Sequence, residues 1–185
     1  MSRNAITQAI DALLTDEEFE RHGSEWVRSR GLFADVIDVQ KGGSVPGITV
    51  NVALMHAPTF ELAWGKPPAF PPSESDCVVR IRLGMLIDDR DHWWPVNDQS
   101  AAEITAALTD NALPFLAAFT DLASIDGWLS ASRSNRCPPE ALYLAASKHQ
   151  LGRYEEARIV IEQLLDRTKS GPWRERISRL AIAVG

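Results

Sequence analysis

The chain has 185 residues, 45% apolar and 24% charged, a composition that excludes global disorder. Its formal charge of −6 argues against a phosphate backbone as partner, because nucleic-acid binding needs a basic footprint. No apolar run approaches bilayer-spanning length and no signal-peptide core follows Met1, so a soluble cytoplasmic protein with no membrane partner is expected.

Ile6, Ala9, Ile10, Leu13 and Leu14 recur at helical spacing, which predicts a first helix over residues 4–14, ending at the polar run 15–18. Residues 24–30, with Trp26 and Val27, read as a first strand. Gly31 turns the chain into a second strand over 34–40, with Ile37 and Val39 on one face. Residues 41–47 form a long turn into a third strand, 48–55. There Ile48, Val50, Val52 and Leu54 alternate with Thr49, Asn51 and Ala53. The same alternation over 77–86 predicts a fourth strand. Period two puts one set on a buried face and leaves Asn51, Arg80 and Arg82 on the other. Short connections imply an antiparallel meander.

Residues 57–76 interrupt this pattern. Pro58, Pro67, Pro68, Pro71 and Pro72 forbid a central strand and fragment any helix beyond a short turn. Phe60, Leu62, Trp64 and Phe70 make the segment too apolar for a free linker. It is expected to be an ordered excursion on the sheet and a candidate functional loop.

Beyond Trp94-Pro95, Ser100-Ala101-Ala102-Glu103 has the form of a capping box. Pro114 should start or kink a following segment lined by Phe115, Leu116, Phe119 and Leu122, and Gly127 marks a break before Trp128. Residues 130–139 read as a linker. Ala141, Leu144 and Ala145 then form one helical stripe, Leu151-Gly152-Arg153-Tyr154 a turn, and Ala157, Val160, Ile161, Leu164 and Leu165 a second stripe. A last helix over 173–183 uses Trp173, Ile177, Leu180 and Ala181. The fold class expected is α+β: a four-stranded antiparallel sheet with the N-terminal helix packed on it, over residues 1–110, then a helical region over 111–185. Cys77 falls on the apolar side of a strand and reads as core, while Cys137 lies in the linker, and no disulfide is expected.

Residues 140–166 resemble one tetratricopeptide helical hairpin, through Ala141, Leu144, Ala145, Leu151-Gly152, Tyr154, Ala157 and Leu164. One copy cannot bury its own stripe. Docking on the first domain is therefore expected, with Leu144, Ile161, Leu164 and Trp173 buried against residues before Pro138 and 114–122 as partner. Residues 6–94 are similar to the bacterial domain-of-unknown-function family 4304. The similarity runs through Phe19, Gly23, Trp26 and Arg28, then Val36-Ile37-Asp38-Val39-Gln40-Lys41, Ile48-Thr49-Val50-Asn51-Val52, Arg80-Ile81-Arg82-Leu83-Gly84 and Trp93-Trp94. The resemblance implies an α+β domain on an antiparallel sheet and brings no activity, cofactor or catalytic residue.

The first candidate site is the polar sheet face, Asp38, Gln40, Asn51, Arg80 and Arg82. Arginine forks suit carboxylates or phosphates, and the bland alternative is cross-strand pairing of the arginines with Asp38. Trp93 and Trp94 are a candidate aromatic anchor, or a pair split between core and surface. The turn Asp88-Asp89-Arg90-Asp91-His92 offers carboxylates and an imidazole, yet fits no metal-ligand spacing and reads first as a solvated turn. No nucleophile elbow or phosphate loop is present, so no catalytic residue, metal or cofactor is assigned. Residues 1–138 carry a net −8 and residues 139–185 a net +2. An acidic body points to a basic protein partner. The function expected is a non-enzymatic binding or adaptor protein, with an immunity-like neutraliser of a basic toxin as its sharpest form. The alternative is a small-molecule or metal-dependent enzyme using the 88–92 turn with Arg80 and Arg82.

Overall fold

The computed structural model describes residues 3–43, 46–131 and 138–185; Cys137 and most of the expected linker lie outside them. Among these residues the chain is α+β, with a five-stranded antiparallel sheet, an N-terminal helix and a helical C-terminal region. Its contacts divide it into two compact units. Unit 1 holds residues 1–55 and 69–118, and unit 2 holds 56–68 and 119–185. No helix among the described residues is long and apolar enough to cross a membrane.

In unit 1, α1 (Arg3–Asp16) is followed by β1 (Glu20–His22), β2 (Glu25–Arg30), β3 (Phe33–Lys41) and β4 (Ile48–His56), and after the excursion by β5 (Val79–Arg82). The strands lie in chain order. The fifth strand is β1, too short for periodicity to reveal, pairing Arg21 with Trp26 and His22 with Glu25. One sheet face carries Trp26 beside Ile37 and meets α1, where Trp26 Nε1 donates to Asp11 Oδ1 at 2.8 Å. Ile6, Ile10 and Leu14 of α1 are buried, as the helical spacing predicts. β4, flanked by β3 and β5, is buried at every residue, Thr49, Asn51 and Ala53 included. The expectation of an open polar face therefore fails at this strand.

Two local readings are corrected. The expected fourth strand over 77–86 is only β5, and α3 (Leu83–Asp88) follows it at once. Leu83-Gly84-Met85-Leu86 is a short apolar run, for which periodicity does not separate strand from helix. The capping-box serine is not the cap of α4 (Asp98–Ala107). Asn97 takes that position, its Oδ1 accepting the Ser100 amide at 2.8 Å, as asparagine caps at least as well as serine. Residues 108–112 form a π-helical turn, and Pro114 starts a following segment as expected, in the first turn of α5 (Leu113–Ala117), where its missing N–H is tolerated.

Unit 2 takes α2 (Ala57–Trp64) from within the excursion, then α6 (Leu122–Ala131), α7 (Pro138–Gln150), α8 (Tyr154–Arg167) and α9 (Pro172–Val184). Pro58 does not fragment α2, because it occupies the first turn, and Gly65 at φ 64° closes the helix. Gly127 lies inside α6 rather than at a break; its Cα faces open space, where glycine is tolerated. α7 packs on α8, α2, α6 and α9. Leu144, Ile161 and Leu164 are buried, whereas Trp173 stays 37% exposed, contrary to expectation.

Candidate functional site

The sheet face away from α1 is built by register. Glu25 pairs with Asp38 and Val27 with Val36, while Asn51 pairs with Arg82 and Ala53 with Arg80. Cross-strand partners project to the same side. Asp38, Gln40, Asn51, Arg80 and Arg82 therefore share one face. Asn51 is the centre of this group: its Nδ2 donates to Asp38 Oδ2 at 3.0 Å and to Gln40 Oε1 at 3.3 Å.

The arginines are already engaged. Arg80 forms a fork on Glu74, with Nε to Oε1 at 2.7 Å and Nη2 to Oε2 at 2.9 Å. Glu74 opens a 3-10 turn, Glu74–Asp76, that leads out of the excursion. Arg82 Nη1 pairs with Asp91 Oδ2, and its guanidinium lies 5.3 Å from the Trp93 ring centroid. Trp93 Nε1 donates to the same carboxylate at 3.2 Å. Arg82 holds the Asp91 carboxyl below its ordinary pKa, helped by Trp93. The two tryptophans split: Trp93 is half-buried, and Trp94 is buried, bridging Ile48 through paired backbone hydrogen bonds of 2.9 and 2.8 Å. In the 88–92 turn, His92 Nε2 and Asp88 Oδ1 lie 2.8 Å apart.

What the face leaves over is carboxylate. Glu25 accepts the Glu74 amide at 2.7 Å, and among the described residues no ion pair reaches Glu25 or Asp38. Burial first, and then Asp38, Glu74 and Asp76 as like charges, raise the Glu25 pKa above its ordinary value. Among the described residues the one ion pair of Glu20 is with His22, at 3.9 Å. Along β1 and β2 this face opens into a groove of about 600 Å³ whose wall includes Glu18, Glu20, His22, Arg28, Arg30 and Phe70. Phe70, within the excursion, is 72% exposed.

Arg28 and Arg30 are both held by carboxylates there, Arg28 also pairing with Glu17 Oε2 at 3.6 Å, so two guanidiniums meet two acids. Both converge on Asp35, which has no exposed surface: Arg28 Nε and Nη2 approach Oδ2 at 3.0 and 2.9 Å, Arg30 Nε approaches Oδ2 at 2.8 Å, and Arg30 Nη2 approaches Oδ1 at 2.7 Å. Sequence reasoning found Asp38 and Asn51 but not Glu25, Glu74, Glu20 or Phe70. Phe70 was within reach, as an exposed aromatic in a segment already read as a functional loop. Glu25 and Glu74 were not, since only three-dimensional register brings them to Asp38 and Arg80.

Unit 1 carries 16 Asp/Glu against 8 Lys/Arg, a net −8, while unit 2 carries a net +2. The arrangement can hold cations by carboxylate hydrogen bonds and apolar groups against Phe70. No curated protein and no solved structure is significantly similar to the chain. Residues 10–118 match the model of the domain of unknown function DUF4304, more than half of the chain, and the protein belongs to that family.

Proposed function

We propose that the protein is a non-enzymatic binding or adaptor protein that takes a basic protein partner on the acidic face of unit 1. One observation carries this reading: the arginines of the face are held by carboxylates, while among the described residues Glu20, Glu25 and Asp38 are left without a strong cation. A Lys or Arg side chain from a partner would enter the groove beside Glu18 and Glu20 and lay its alkyl stem on Phe70. The net −8 of the unit would steer the encounter and make its rate fall with salt. Neutralisation of a basic toxin, in the manner of an immunity protein, is the sharpest form of this function. In the same reading the α7–α8 hairpin is a tetratricopeptide-like unit whose apolar stripes serve the packing of unit 2 rather than a recognition groove.

The test is affinity capture from the source cells with the intact chain and with a Glu18→Lys/Glu20→Lys variant, both positions being exposed. A basic protein retained by the parent chain, released by salt and lost in the variant is the expected result. Retention of an acidic partner, or equal retention by both chains, contradicts the proposal.

A further inference from the structure

Unit 2 contains a separate cavity of about 330 Å³ between the end of α2 and the first turns of α9. Its walls are two indoles, Trp64 and Trp173, with ring centroids 5.9 Å apart and planes inclined at 59°. Trp64 is fixed from behind: its Nε1 donates to Tyr143 Oη at 2.9 Å, and its ring packs on Phe60 at 6.1 Å. Trp173 remains 37% exposed at the mouth. A large apolar side chain left open beside an ordered aromatic wall provides half of a stacking site.

The polar side of the cavity is cationic. Arg176 lies 6.0 Å over the Trp64 ring, and its Nη1 donates to Trp64 O at 2.5 Å, satisfying a terminal carbonyl of α2. That contact occupies one edge of the guanidinium. Its Nε is buried and has no hydrogen-bond partner among the described residues. Among the described residues no carboxylate pairs with Arg176, and Glu175, the one acid of the lining, faces Arg179 at 3.9 Å. Arg179 adds a second positive charge whose side chain is 69% exposed. Burial, then the neighbouring Arg179, lowers the Arg176 pKa, as expected of a cation desolvated without an anion. Two cationic side chains, Arg176 and Arg179, next to a stacking wall match a carboxylate joined to a flat ring. The volume lies at the small end of ligand pockets, which suits one or two fused rings.

We infer that the cavity between α2 and α9 is a binding site for a small aromatic carboxylate, stacked on Trp64 and Trp173 with its anion on Arg176 and Arg179. The inference is independent of the partner proposed for unit 1.

Calorimetric titration of the full chain with indole-3-acetate, indole-3-acetamide and acetate tests it, alongside NMR of the tryptophan indole N–H signals. Saturable binding of indole-3-acetate is expected, about tenfold tighter than its neutral amide, because only the acid offers charge-assisted hydrogen bonds. Acetate should not bind, having no ring to stack. Trp173→Ala should abolish binding, and Arg179→Gln, at an exposed position, should weaken it severalfold while thermal unfolding stays unchanged. The indole signals of Trp64 and Trp173 should move together. Absence of binding at low-millimolar ligand, equal affinity for acid and amide, or parent-like affinity in both variants would overturn the assignment.

Discussion

Asp35 shows how a single buried carboxylate can decide which charges remain available to a partner. It has no exposed surface and gathers both Arg28 and Arg30, while Arg30 Nη2 also reaches Leu116 O at 3.1 Å. Removing one side of a buried ion pair leaves the other uncompensated, so Asp35→Ala should destabilise unit 1 by about 3 kcal/mol, measurable by urea unfolding. Thr49 is the opposite case. Among the described residues its buried hydroxyl has no hydrogen-bond partner, and Thr49→Val should raise stability by about 1 kcal/mol, since it removes an unsatisfied group and keeps the shape. Glu25 links stability to pH. Its folded pKa is raised, so the native state binds more protons than the unfolded one in the window just above pH 4.5. Stability should fall as pH rises through that window and be regained on acidification. Glu25→Gln should remove that slope from the pH profile of thermal unfolding and leave the variant the more stable at neutral pH; an unchanged slope would show that Glu25 does not carry it.

At the scale of elements, the sequence was most legible where spacing was long and regular. Helix α1 and strands β2, β3 and β4 follow from their periodicity almost to the residue. The excursion and the end of the sheet did not. α2 is hard to see in the sequence because proline breaks a helix interior, yet at the first helical turn it costs nothing. α3 was obscured because Leu83-Gly84-Met85-Leu86 lacks enough residues to show its period. The face of Asp38, Gln40 and Asn51 could be anticipated from alternation, but the partners of Arg80 and Arg82 could not: Glu74 reaches in from a three-residue 3-10 turn and Asp91 from an irregular turn. Gly84 holds the second of these in place. A Cβ there would collide with Arg90 O and come within 2.7 Å of the His92 amide. Gly84→Ala should therefore displace the 88–92 turn and release Arg82 from Asp91, seen as a shift of the Trp93 indole signal and a loss of thermal stability.

For the molecule as a whole, the family segment and the compact units do not coincide. The matched residues 10–118 include α2, yet α2 packs in unit 2, where Phe60 meets Tyr143 and the Thr59 hydroxyl donates to Gln150 Oε1 at 2.9 Å. A chain cut after residue 118 would strip α2 of these contacts and open the buried surface of Phe60 and Ala63 to water. Such a fragment should aggregate or bind an apolar dye, and co-expression of residues 119–185 should suppress both. The sequence alone suggested a simple succession of parts, because a helix donated from inside one segment to another leaves no mark in composition.

If the acidic face of unit 1 takes basic partners, a short oligolysine peptide should bind there, and NMR mapping of that peptide onto the full chain locates it. Amide shifts that saturate, weaken with salt, and cluster along β1 and β2 with Phe70 and Glu74 are expected. Shifts scattered over both units, or centred on the exposed acids of α8 such as Glu155 and Glu162, would contradict it.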